Sequence, residues 1–145
     1  MTDRTTPRAI ALSIALGAIF FLITATTFAS LGVILPAMIA EFQWNWGTAG
    51  LGFTVLALLT GVISPVAATS LERLGARAHY AAGGAIIVSG YLLLGAVGNV
   101  VQYLAATSLL GAGFAMLANV PGTYIVGRAA PLKWRNIAIG AYLAA

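Results

Sequence analysis

Few side chains in this 145-residue chain can do chemistry: three acids, seven lysines and arginines, one histidine and no cysteine. The densest group is the polar island Glu72, Arg73, Gly75, Arg77 and His79. A carboxylate beside two guanidiniums can pair with them or with a neighbouring helix end, and a pair formed in only one conformation biases a two-state equilibrium. The plainer alternative is that Arg73 and Arg77 only anchor the chain by snorkelling to headgroup level. Glu72 has no part in anchoring, which favours the pairing. His79 reads as a solvated surface histidine. A second set of residues is polar but uncharged and interrupts apolar sequence: Ser13, Gly17, Thr24 and Thr27 at near-helical spacing, then Thr107, Ser108, Asn119 and Thr123. Thr24, Thr27, Thr107, Asn119 and Thr123 are candidates to line a water-filled cavity, Asn119 being the costliest to bury unpaired. Their alternative role is interhelical hydrogen bonding, worth about 0.6 kcal/mol on average. A third set, Arg128, Lys133 and Arg135, is basic.

Soluble enzyme chemistry is not expected from this inventory. No two carboxylates share a site, a single histidine and no cysteine leave no metal-ligand set, and the glycines lack the strand-and-helix context of a phosphate loop. No cofactor is implied. The net charge of +4 does not point to nucleic acid, because the basic residues are scattered and form no stripe.

The elements that position these residues follow from composition. The chain is 61% hydrophobic and 7% charged, against about 25% charged in an ordinary soluble domain. Helices or closed barrels alone satisfy backbone polar groups in lipid, and runs such as Ile10 to Ile23 do not alternate as barrel strands must. An all-α polytopic membrane protein is therefore expected, with helices at about 9–40, 47–71, 81–97 and 101–126 and the start of a fifth at 137–145. The first segment is too long for a signal peptide's apolar core and reads as a retained span. Pro36 is expected to kink or end it, Ser64 and Pro65 to bend the second, and Pro121 with Gly122 to interrupt the fourth. Gly47, Gly50 and Gly52 are expected to bring helices close. The island reads as a membrane-surface loop, Gly98 and Asn99 as a tight turn using left-handed backbone, and the tyrosines as interfacial anchors. All seven Lys and Arg fall on one side of this arrangement, at the N-terminus, the island and 128–135, and none on the other. The positive-inside rule then places the N-terminus in the cytoplasm and the protein, as a multi-pass chain, in the plasma or inner membrane.

At the island the sequence resembles a known family. Ala68-x-x-x-Glu72-Arg73-x-Gly75-x-Arg77 looks like the loop between helices two and three of the major facilitator superfamily, whose pattern is Gly-x-x-x-Asp-Arg-x-Gly-x-Arg. Ala68 stands for the glycine and Glu72 for the aspartate. The long first helix near Leu35-Pro36, Gly111-x-Gly113 with Pro121, and Arg135-x-x-Ala138-x-Gly140 are also similar. Glu41-Phe42-Gln43-Trp44 and Asn119-Val120-Pro121 are similar to the monocarboxylate and oxalate–formate porter branch. Thr107 stands where drug and sugar porters carry an arginine.

The resemblance implies the N-terminal part of a six-helix half of a secondary active transporter, moving a small solute, with small carboxylates the class suggested, by alternating access. It implies that Glu72, Arg73, Gly75 and Arg77 form a conformational gating loop, that helices one and four line the cavity, and that helix three packs behind them. No acid, histidine or lysine lies within the four expected spans, so a charge that binds an anionic solute has to come from outside this chain. A short fifth segment is expected to lie at the inner surface or to pair with a second copy, and the chain reads as an incomplete or truncated sequence. The alternative is a small four-helix membrane protein acting by assembly or partner binding without transport. The bilayer is the first partner in either case, and the solute a partner only of a completed transporter.

Overall fold

A computed structural model of the chain describes residues 6–129 and 135–143. Among them there is no strand. Helix α1 (Thr6–Thr24) passes through a π-helical turn, Ala25–Ala29, into α2 (Ser30–Phe42). Helix α3 is Trp46–Gly95, and α4 (Val100–Phe114) passes through a second π turn, Ala115–Asn119, into α5 (Val120–Ala129). The last element is α6 (Arg135–Leu143). Among the described residues, three stretches are long and apolar enough to cross a membrane: Ile14–Phe42, Trp46–Gly95 and Val100–Gly127. The described residues thus form helices with the span lengths of a membrane protein.

The connections between these rods are short, and an asparagine opens the next helix at each. Asn45 has extended backbone and its Oδ1 accepts from the Thr48 amide at 2.7 Å; Asn99 does the same for Gln102 at 3.0 Å. Each occupies an orphan donor of the helix it opens. The turn at Gly98 and Asn99 uses no left-handed residue, contrary to the sequence expectation: positive φ occurs only at Gln43 and Gly75 among the described residues. A capping side chain does the work that strained backbone was expected to do.

Helix α3 is 50 residues long, about 75 Å if straight and more than twice a hydrocarbon core of about 30 Å. It is not straight. At Gly75 the backbone takes φ 75° and ψ 163°, a region essentially reserved for glycine. The arms on either side, residues 46–74 and 76–95, both pack on α4: a side chain at Gly111 would strike the Leu56 carbonyl, and one at Gly90 would lie 2.9 Å from Leu110 Cδ2. Residues 56 and 90 would be about 50 Å apart along one straight helix, so meeting neighbouring positions of α4 requires the chain to reverse at Gly75. The island is therefore not a loop. It is helical on both sides of one residue, because a single glycine at positive φ turns the chain while its neighbours keep their helical bonds.

Neither Pro36 nor Pro65 ends its helix. Pro36 lies inside α2, which continues to Phe42, and Pro65 lies inside α3, where Gly75 is the sole non-helical residue. Spanning helices tolerate a proline where the freed carbonyl finds another partner. Of the glycines at the start of α3, Gly52 alone brings another helix close. A side chain at Gly52 would strike the Tyr103 ring, whereas Gly50 faces open space. At Gly83 it would lie 2.9 Å from Leu117 Cδ2, and at Gly113 3.0 Å from the Ile87 amide nitrogen. Small residues thus seat α4 between the two arms of α3, as backbone packing in lipid requires.

Two apolar clusters result. The larger joins Leu31, Leu35 and Met38 of α2 to Leu56, Leu94, Tyr103 and Leu110. The smaller joins Leu16, Val126 and Tyr142, with Phe20 and Ile139 against it. Helix α6 is part of this second cluster and docks on its own chain.

Substitution at Gly75 tests the reversal. No atom lies within 4 Å of a Cβ at this position, so Gly75→Ala adds backbone strain alone, about 1–3 kcal/mol. Gly84 is equally open but helical, and Gly84→Ala is expected to be neutral or to stabilise by about 0.5–1 kcal/mol. Thermal unfolding in detergent should rank the proteins Gly84→Ala at or above the parent and Gly75→Ala below it.

Candidate functional site

The second π turn has a specific cause. The Val120 amide donates to the Ala115 carbonyl, five residues back. The next donor in that register belongs to residue 121, which is proline and has no N–H. The Met116 carbonyl is left without a helical partner in a low-dielectric interior, where an unpaired group is costly. His79 fills the vacancy: its Nε2 lies 2.8 Å from the Met116 oxygen. On the other side of the ring, Nδ1 lies 2.7 Å from Ser70 Oγ. The imidazole is 0% exposed and bridges the two arms of α3 to the bulge of the α4–α5 rod.

His79 is thus not a solvated surface histidine. It follows Glu72, Arg73 and Arg77, which are exposed, but the helical repeat turns position 79 inward beside Gly83, one turn on, which is also buried. The neighbouring Tyr80 ring stands edge-on to the imidazole at 6.1 Å, and its hydroxyl is buried without a partner. A second carbonyl of the same turn, that of Ala118, accepts from the Tyr142 hydroxyl at 2.5 Å, and the Tyr142 ring lies over Gly122. This bond is what brings α6 back to the bundle.

The first π turn is served in a similar way. The Tyr91 hydroxyl, from the second arm of α3, donates to the Thr26 carbonyl at 2.9 Å, and Ser30 Oγ donates to that same oxygen. Beside it, the hydroxyls of Thr24 and Thr27 are buried with no partner, and Thr27 is 0% exposed. Phe28 covers the turn, edge-on to Phe114 at 5.6 Å and stacked on Phe53 at 6.4 Å.

The five cavity candidates do not converge. Thr24 and Thr27 lie at the first π turn. Thr107 is buried and donates back to Tyr103 and Leu104 of its own helix, at 3.1 and 3.0 Å. Thr123 likewise donates to the Asn119 and Val120 carbonyls, both at 3.0 Å. Thr107 and Thr123 are about 24 Å apart along the rod, so they belong to no common site. Asn119, half-buried, closes the second π turn. The proposed gating residues Glu72, Arg73, Gly75 and Arg77 are all exposed, and among the described residues none of their charges enters an ion pair. Arg135 opens α6 and its guanidinium lies over Gly127. Arg4 and Lys133 are outside the described residues, as are the side chains of Arg8, Ser13 and Arg128.

The residues that join helices were therefore not those singled out by polarity. Tyr91 and Tyr142 read as interfacial anchors, yet each donates to a π-turn carbonyl; Tyr103, fully buried, donates to the Ala49 carbonyl at 2.8 Å. One signal was present in the sequence. A proline in an apolar helix announces a carbonyl in need of a donor, and an apolar chain has few long-reaching donors. Comparison of the chain with family models, with curated proteins and with solved structures finds no match.

The contribution of the Tyr142 hydroxyl can be measured without disturbing the ring. Tyr142→Phe leaves the buried Ala118 carbonyl without this donor, and a loss of about 1–2 kcal/mol is expected. Limited proteolysis should cut between α5 and α6 faster in the variant; equal rates would show that apolar packing alone holds α6.

Proposed function

We propose that this chain is the N-terminal part of a secondary active transporter of the major facilitator type, moving a small solute by alternating access. The observation that carries the reading is the hairpin at Gly75. It reverses the chain within the stretch that resembles the superfamily's loop between helices two and three, and it presents Glu72, Arg73 and Arg77 to solvent at the turn. In this reading each arm of α3 is a separate crossing. The second arm, residues 76–95, spans about 30 Å, the thickness of a hydrocarbon core, and the first about 43 Å. The rods make four crossings and α6 begins a fifth. The unpaired state of Glu72 is then one access state, and a pair with a neighbouring helix end belongs to the other. Small carboxylates are the solute class favoured, on the Glu41–Trp44 and Asn119–Pro121 segments.

Orientation is read with single cysteines, since the chain has none. Asn45 caps a helix, so the exposed Glu41 is the better external position. Glu41→Cys should react with an impermeant maleimide in intact cells and Ala76→Cys only after lysis. The reverse pattern would overturn the assignment of the hairpin to the cytoplasm.

Transport is tested by counterflow of radiolabelled small carboxylates in proteoliposomes. A midplane site between two repeats needs both repeats, so the 145-residue chain alone should show no saturable counterflow and a chain extended by further spans should show it. Counterflow by the short chain would replace the fragment reading with a self-assembling transporter. Its absence from both would favour a membrane protein that acts by assembly.

A further inference from the structure

Serine and threonine hydroxyls on these helices turn back to a carbonyl three or four residues earlier, as at Thr54, Thr60, Ser89, Thr107 and Thr123. Thr24 and Thr27 do not. Both oxygens are buried with no partner, and Thr27 is fully buried, a costly state for a hydroxyl away from water. The two residues are one helical turn apart, on one face of the first rod. Phe20 lies a turn before Thr24 and Phe28 directly after Thr27, and both rings lie against Phe114 of α4, at 6.3 and 5.6 Å. The carbonyls of the turn already have side-chain donors: that of Thr26 accepts from Tyr91 and Ser30, and that of Ile23 from Thr26 Oγ1 at 3.1 Å.

What both hydroxyls lack is an acceptor, and the chemistry of the site selects a neutral one. Among the described residues the carboxylates, Glu41 and Glu72, are exposed, as are Arg73, Arg77 and Arg135, so an ion of either sign would find no counter-charge between Phe20 and Phe28. A water oxygen about 2.8 Å from each hydroxyl spans oxygens up to about 5.6 Å apart, and side chains one turn apart have their Cβ atoms about 5–6 Å apart. We propose that Thr24 and Thr27 hold one internal water molecule at the first π turn, between the first rod and α4. The water accepts from both hydroxyls, and its own hydrogens go to second lone pairs of backbone carbonyls in the widened turn. Such a bridge is nearly as favourable as a direct hydrogen bond. It gives the first rod a polar partner that exchanges without breaking a bond between helices. The site does not depend on the transport reading, since it is assembled within this chain.

Valine keeps the shape of threonine and removes the hydroxyl, so it separates a held water from two hydroxyls that are simply unpaired. With the water bound, Thr24→Val or Thr27→Val leaves both the water and the remaining hydroxyl short of a partner, and each should lower the melting temperature in detergent by about 2–4 °C. The double variant expels the water and leaves no buried hydroxyl, so it should melt no lower than either single variant. Additive changes of either sign would overturn the proposal, additive gains being the outcome for hydroxyls without a ligand. The water is also read directly by NMR of the full chain in micelles with ¹³C-methyl threonine. The Thr27 methyl should show a nuclear Overhauser cross-peak to water, and the Thr107 methyl, equally buried but bonded to its own helix, should not. The Thr27 cross-peak should vanish in Thr24→Val, where the Thr27 hydroxyl is still present; its survival there, or its absence from the parent chain, would overturn the proposal. Should the valine variants fail to fold, the parent spectrum decides it alone. None of these results bears on counterflow, so the two readings fail separately.

Discussion

The interaction on which the rest depends is the bond from His79 to the carbonyl that Pro121 strands. In lipid, a backbone oxygen without a helical partner has no water to turn to. The rod α4–π–α5 exists in its present form only because side chains from other helices reach its bulge, His79 from α3 and Tyr142 from α6. In the first rod, Tyr91 of α3 donates to the Thr26 carbonyl. The second arm of α3 therefore holds a donor for each bulge, twelve residues apart at 79 and 91, about 18 Å along the helix. By resemblance this arm was expected to pack behind the others. Physically it is the element to which both irregular rods are fastened.

Fastening at such sites requires close approach, and the glycines supply it. Gly83 and Gly113 bring the second arm against the α4 rod beside Met116 and Ile87, and Gly111 brings the Leu56 carbonyl of the first arm in from the other side. Thr60 then reaches across to the Gly111 carbonyl at 3.1 Å. A shorter donor than histidine would not bridge from α3 to Met116 while also touching Ser70, and a bulkier residue at Gly83 or Gly113 would hold the backbones too far apart. Bulge, donor and glycines act as one unit. Changing any of them loses more than its own contacts, because the penalty of an unsatisfied carbonyl is added to the lost packing.

Composition made the helical class legible, since too few charges exist to coat a soluble fold, and the polar island marked where the chain turns. The turn's form was not legible. Polarity in Glu72, Arg73 and Arg77 signals exposure, and exposure alone suggests a loop, yet a helix can carry exposed residues on every side at its end. Gly75 held the needed information in its own φ preference. The π turns were invisible because they depend on a balance between two hydrogen-bond registers, and Pro121 marks only the second. His79 was misplaced because its neighbours in sequence are charged; its neighbours in space are set by the 3.6-residue repeat, which groups it with Gly83. The polar candidates erred in the opposite way. Thr107 and Thr123 satisfy themselves on their own helix, as Ser and Thr do whenever the carbonyl three or four residues back is in reach.

Thr24 and Thr27 are the exceptions to that habit. Both hydroxyls are buried and unpaired, although a threonine in a regular helix has a carbonyl available one turn back. Thr24 lies just before the π turn and Thr27 inside it, where Thr26 still reaches the Leu22 carbonyl at 2.7 Å. Interhelical hydrogen bonds in membranes are weak because partners are easily exchanged. The first rod thus carries two buried hydroxyls without partners beside one donor from outside, Tyr91, whereas the α4–α5 rod takes two, from His79 and Tyr142.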